Sequence, residues 1–220
     1  MESAKRYKLV IFDLDGTLID TLEDLGAAVN HTLEKRGLPL HTMPEYRAMV
    51  GHGTRNLITQ ALPAHLRGDE SLIDSCQADF MSYYRAHIAD LTAPYPGMQE
   101  LLAELHDAGI LLAVASNKFQ EGTETLVAKF FPGINFVAVL GNRPGAPFKP
   151  DPGIVREILS KAGAAPSETV MAGDSETDMK TAENGGIGRI AVTWGYRSLQ
   201  GSPGLTIAST ASQLRTLLMG

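Results

Sequence analysis

The stretch KLVIFDLDGTLID, Lys8 to Asp20, drives an apolar run straight into acids. Leu9, Val10, Ile11 and Phe12 do not alternate with polar residues, which is the pattern of a strand buried on both faces in a parallel sheet. Asp13 and Asp15 follow at a spacing of two, so an extended backbone turns both to one side. Gly16-Thr17 then permits a sharp turn with exposed amides suited to an anion. Unpaired buried carboxylates are costly, so either the strand merely stops here or the acids are placed to act.

The same figure recurs along the chain. Ile110 to Ala115 ends at Ser116-Asn117, Asn135 to Leu140 at Gly141-Asn142, Thr169 to Ala172 at Gly173-Asp174, and Arg189 to Trp194 at Gly195. Between these runs lie helical spacings: Met98 to Gly109 with Leu101, Leu102 and Leu105, then EGTETLVAKFF, then DPGIVREILSKAG, where Asp151 caps, Pro152 suits the first turn and Gly163 stops the helix. Alternating strand and helix give a doubly wound, Rossmann-like parallel sheet of the α/β class. From Thr21 to Thr92 the rhythm changes to helical patterns separated by Gly and Pro, with no buried strand. The expected organisation is a discontinuous α/β core, residues 1–20 and 93–220, interrupted by a helical cap, 21–92, with APYPG as the return hinge. SLQGSPG, Ser198 to Gly204, reads as a loop.

Composition narrows the function classes. The chain has 220 residues, 44% hydrophobic, with formal net charge −6. That suits a globular chain with an ample core and argues against nucleic acid or an anionic membrane as partner. One cysteine, Cys76, rules out an intrachain disulfide and a thiolate-rich metal site. MESAKRYK leads into only a short apolar run, so neither a signal peptide nor a membrane span is expected, and the reading is cytoplasmic. No oligomeric state is legible.

In an open α/β sheet, ligands bind beyond the carboxyl ends of the strands. Asp13, Asp15, Ser116, Asn117 and Asp174 all fall there, with Asp178 one helical turn after Asp174. So many acids call for a hard cation such as Mg²⁺. Ser116-Asn117 offers hydroxyl, amide and an expected helix N-terminus for phosphate oxygens, as do Gly16 and Thr17. Lys149, in FKPDP, can pair with both a phosphate and the aspartate that bears it. Each feature has a plain alternative as turn, cap or solvated loop. Their order at successive loops of one sheet favours phosphoryl transfer.

FDLDGTLID, ASNK, KPDP and GDSETD together resemble the motifs of the haloacid dehalogenase superfamily, and within it the phosphoglycolate-phosphatase-like hydrolases with a helical cap after the first strand. The resemblance implies Asp13 as nucleophile and Asp15 as general acid and base, with Ser116 and Lys149 on the phosphate. It also implies Mg²⁺ held by Asp13, the backbone carbonyl of Asp15 and Asp174, with Asp178 supporting the metal's water. The expected activity is hydrolysis of a small phosphorylated metabolite through an aspartyl-phosphate. Asp15 separates this reading from halide chemistry. A mutase of the β-phosphoglucomutase type would carry a His where Leu25 stands. The alternative of another class, a receiver-like signalling module, is shorter and places its acceptor Asp after a later strand.

The cap should meet the leaving group. VGHGTRNL, Val50 to Leu57, resembles the corresponding loop of phosphoglycolate phosphatases: Gly51 and Gly53 admit backbone close to a ligand, His52 offers a hydrogen bond, and Arg55 suits a carboxylate or second phosphate. The opposing reading is an interhelix turn with Arg55 on a solvated face. Met81, Tyr83 and Tyr84 read as cap core, and Trp194 as either crevice lining or packing.

Overall fold

The structure, a computed structural model, describes residues 7–197, 199 and 204–220. The loop expected over Ser198 to Gly204 therefore lies mostly outside the described residues. The chain opens with strand β1 (Leu9–Phe12) and a tight turn into the two-residue strand β2 (Ile19–Asp20). Four helices follow: α1 (Leu22–Glu34), α2 (Met43–Met49), α3 (Thr54–Ala61) and α4 (Glu70–His87). Strand β3 (Ala93–Pro94) then pairs antiparallel with β2, closing a two-stranded ribbon at the base of the helices. Beyond it come α5 (Met98–Asp107), β4 (Leu111–Phe119), α6 (Gln120–Phe130), β5 (Phe136–Asn142), α7 (Gly153–Ala162), β6 (Thr169–Gly173), α8 (Glu176–Asn184), β7 (Gly188–Val192), β8 (Thr206–Ala208) and α9 (Ala211–Met219).

Among the described residues the main sheet has six strands in the order β5-β4-β1-β6-β7-β8, every pairing parallel. β1 lies at its centre, with Phe12 opposite Val114 of β4 and Ala172 of β6. Its four residues are wholly buried, as the unalternating run requires. Val10 and Phe12 enter a cluster with α5, α6 and α9, while Leu9 and Ile11 enter one with α7 and α8. Helices thus cover both faces of the sheet, the doubly wound arrangement. Chain order reverses across β4-β1-β6, and a crevice opens at such a switch point.

Local chemistry explains the boundaries. Asp151 Oδ1 accepts from Gly153 N at 2.7 Å, and Gly163 ends α7 in the left-handed conformation at φ 57°. Ser175 caps α8 in a reciprocal box with Asp178. Asp24, buried in α1, accepts from the amides of Leu91 and Thr92 and from the Thr92 hydroxyl, fixing the return of the chain from the helices. Cys76 is a buried free thiol of the helical cluster. None of the described helices is long and apolar enough to cross a membrane.

Candidate active site

Three strand ends, the β5–α7 loop and the first turn of α8 meet at one cavity of about 70 Å³. Asp13 follows β1, Ser116, Asn117 and Lys118 close β4, Asp174 and Ser175 follow β6, and Lys149 comes from the β5–α7 loop. Asp178 arrives from the first turn of α8. A Cβ at Gly173 would stand 2.4 Å from the Asp178 side chain, so the small residue is what lets this acid approach the strand end.

Asp13, Asp174 and Asp178 are all buried, and one carboxylate oxygen from each lies within 4.8 Å of the others. Lys149 Nζ donates to Asp13 Oδ1 at 2.7 Å, to Asp178 Oδ1 at 2.6 Å and to the Ala115 carbonyl at 2.8 Å. Three carboxylates against one ammonium leave two formal negative charges, so a divalent cation matches both the charge and the hard oxygen donors. The electrostatics agree. Burial first, and then Asp178, push Asp13 well above the usual carboxylate range. The same two causes push Asp174 up to about 7, even though the Tyr196 amide donates to it at 2.6 Å. Burial alone would lower Lys149, but its two aspartates hold it above the ordinary lysine value.

Asp15 stands apart from this cluster. Its carboxylate accepts from Lys118 Nζ at 2.9 and 3.1 Å and from Thr21 Oγ1 at 2.7 Å. The three-acid group therefore omits the Asp15 carboxylate, in line with the implied use of its backbone carbonyl alone. Ser116 Oγ accepts from the Lys118 amide at 3.1 Å, which leaves the hydroxyl proton free to donate into the cavity.

Other expected residues are placed differently. Ser116 and Asn117 are not at a helix N-terminus: β4 runs on to Phe119, and α6 begins only at Gln120. Asn117, expected on phosphate, lines the cavity but commits its amide elsewhere. Oδ1 accepts from Lys149 N, while Nδ2 donates to the carbonyls of Lys149 and Gly51. It positions Lys149 and ties β4 to the helical side. Thr17 is wholly buried with an unpartnered hydroxyl and does not line the cavity. Gly16, at φ 89°, lets the turn pass so close to Asp174 that a Cβ would meet Oδ2 at 2.5 Å. It serves close packing beside the acids.

On the helical side Gly51 and Gly53 line the cavity, and Gly53 lies against the half-exposed ring of Phe148. His52 is exposed and outside the lining. Arg55 is also outside it: its guanidinium pairs with Glu70 and with Asp74, drawn onto the solvated face of α4 by those acids. Tyr84, expected as cap core, is wholly buried yet forms part of the cavity wall, whereas Tyr83 stacks between His31 and His87. Trp194 packs, donating from Nε1 to the Thr17 carbonyl at 3.0 Å.

Several lining residues escaped the sequence reading: Lys118, Tyr84, Tyr196, Arg197 and Thr177. Lys118 carried a usable signal, since it stands two after Ser116 and so shares its side of the strand. Tyr196 carried none. Its amide holds Asp174 while its hydroxyl accepts from Thr21 N at 2.7 Å and donates to Asp20 at 3.1 Å, contacts that only the folded chain creates.

The sequence profile of the haloacid dehalogenase-like hydrolases matches residues 10–192, which include all the acids and both lysines of this site. The chain belongs to that family. A phosphoglycolate phosphatase of Mesorhizobium japonicum is 37% identical over 189 residues, 86% of this chain and 83% of that one. Another, from Pseudomonas putida, is 34% identical over 220 residues, 97% of this chain and 79% of that one. A crystal structure from Lactobacillus delbrueckii subsp. bulgaricus, provisionally described as a phosphoglycolate phosphatase, has a TM-score of 0.90 at 32% identity and covers 98% of this chain and 99% of that one. As a haloacid dehalogenase-like hydrolase with these relatives, the chain is a phosphatase.

Proposed function

We propose that this chain is a Mg²⁺-dependent phosphatase of small phosphomonoesters, with phosphoglycolate the first candidate from its relatives' names, and that Asp13 is the phosphoryl acceptor. The observation behind this reading is the buried group of Asp13, Asp174 and Asp178 held by Lys149 at the cavity floor. Those three acids would hold Mg²⁺, which when bound supplies positive charge to the phosphoryl oxygens. Asp13 attacks phosphorus in line and the ester oxygen leaves, taking its proton from Asp15. Water, deprotonated by Asp15, then cleaves the aspartyl-phosphate and releases phosphate. Ser116 and Lys149 orient the phosphoryl group, and Thr21 and Lys118 fix Asp15.

The helices between the ribbon strands, residues 21–92, act as a cap that excludes water. Arg47 and Arg197 bridge the two parts through the Gly195 and Val50 carbonyls. Leu25 lines the cavity, so the position where a mutase would carry His offers no proton carrier, which favours water as acceptor. A cytoplasmic location is part of this proposal, since the single Cys76 suits a reducing compartment. The test is p-nitrophenyl phosphate hydrolysis with Mg²⁺ and with EDTA, in the native chain and in Asp13→Asn. Turnover that needs both the metal and Asp13 is the expected result; metal-independent turnover, or an active Asp13→Asn, overturns it.

A further inference from the structure

Lys118 is a buried cation whose placement goes beyond fixing Asp15. Its side chain is only 3% exposed, it lines the cavity, and Nζ lies 5.1 Å from the centroid of the Tyr84 ring on the helical side. Tyr84, on the same wall, is wholly buried, and its hydroxyl makes no hydrogen bond of ordinary geometry. A buried hydroxyl beside a buried ammonium marks a polar spot in a wall that otherwise brings Leu25, Val50, Gly51, Gly53, Thr54, Leu57 and Phe119.

That spot is tied to the reaction by distance. The ester oxygen must come within hydrogen-bond reach of Asp15, and Lys118 Nζ is already 2.9 Å from Asp15 Oδ1. The ester oxygen and the ammonium are therefore neighbours of one carboxylate, separated by no more than about 6 Å. A group bonded to the leaving carbon falls beside Lys118.

We infer that Lys118, with Tyr84 beside it, binds a second anionic group on the leaving alcohol, a carboxylate one carbon from the ester oxygen. The inference rests on the phosphatase reading and adds the residue that selects the substrate class. The site already contains the required arrangement once, since Lys149 is shared between Asp13 and Asp178. Lys118 would be shared in the same way between Asp15 and the substrate carboxylate. Arg197 also lines the cavity, but its Nη2 donates to the Val50 carbonyl at 2.8 Å, which commits it to joining the two parts of the chain.

The test compares 2-phosphoglycolate with 2-hydroxyethyl phosphate, its neutral counterpart of matched size, in the full chain with Mg²⁺. The wild type should prefer the carboxylate ester, and glycolate should inhibit it more strongly than ethylene glycol. Lys118→Met should slow both esters, because Asp15 loses a partner, but should shrink the preference by about 10- to 100-fold, mainly through KM. Lys118→Arg should recover part of it. Equal losses on both esters, a preference that follows Arg197→Gln instead, or glycolate inhibiting no better than ethylene glycol would each overturn the inference. A wild type that hydrolyses p-nitrophenyl phosphate without preferring the carboxylate ester overturns this inference alone. One that hydrolyses no ester brings down the phosphatase reading with it.

Discussion

The core wall of the cavity carries Asp13, Asp15, Lys118, Lys149, Asp174 and Asp178, whereas the helical wall brings Leu25, Val50, Gly51, Gly53, Thr54, Leu57 and Tyr84. Charge is concentrated at the carboxyl edge of a parallel sheet: Asp13, Lys118 and Asp174 stand at or just after strand ends, Lys149 on the β5–α7 loop and Asp178 in the first turn of α8. The helical wall supplies shape and dryness, and its one cation in the expected loop, Arg55, is spent on Glu70 and Asp74. The division follows from what each part can hold in place. Buried charges need the dense hydrogen bonding of the strand ends, while the described residues of the helical wall bring apolar side chains and backbone to the cavity and no charged group that would need a partner.

This contrast can be broken from either wall, and the core side should respond most. Asp13→Asn should lower kcat by about 10⁴-fold or more with the fold retained, while Tyr84→Phe should leave p-nitrophenyl phosphate turnover within about tenfold. Comparable losses would mean that the two walls share the chemistry.

Lys149→Met should come next, since it leaves three buried acids without their cation. Removing one partner of such a group costs about 3–5 kcal/mol, readable as a lower urea midpoint. Saturating Mg²⁺ should restore part of that stability but not turnover.

The pH dependence of metal binding sharpens the same point with a smaller effect. Asp174 is raised to about 7 by burial and Asp178. A carboxyl raised on folding contributes stability fully present below its unfolded value and lost as pH rises through about 7. The metal-free chain should therefore lose Tm between pH 5 and 8, and Mg²⁺ should raise Tm more at pH 8 than at pH 5.5. A uniform metal effect across that range would contradict the three-acid site.

The smallest effect belongs to Arg55→Ala. Exposed ion pairs contribute little, so kcat/KM for 2-phosphoglycolate should change by no more than about twofold; a large rise in KM would return Arg55 to the cavity.

The sequence made the central strands legible because burial on both faces leaves an unmistakable apolar run: Leu9 to Phe12 is β1, and Thr169 to Ala172 falls within β6. The convergence of Asp13, Ser116, Lys149, Asp174 and Asp178 on one cavity was legible for the related reason that residues following successive strands gather at the sheet's carboxyl edge. The two-residue strands β2 and β3 left no pattern, since a pair so short has no period. Thr17 misled because a Gly-Thr turn looks alike whether its hydroxyl faces a ligand or, as here, the interior. Arg55 takes the second of its two readings, the solvated face, and the sequence could not choose between them because its acids lie 15 and 19 residues further on, joined to it by the packing of α3 on α4.

The most direct test of the account is to trap the acyl phosphate. The native chain, mixed with a phosphomonoester and Mg²⁺ and quenched rapidly in acid, is reduced with borohydride and mapped by peptide mass spectrometry. Conversion of Asp13 to homoserine, dependent on substrate and absent from Asp13→Asn, is the predicted result. Finding the phosphoryl group on Ser116 or another residue, or finding no reducible acyl phosphate under turnover, would contradict Asp13 as the acceptor.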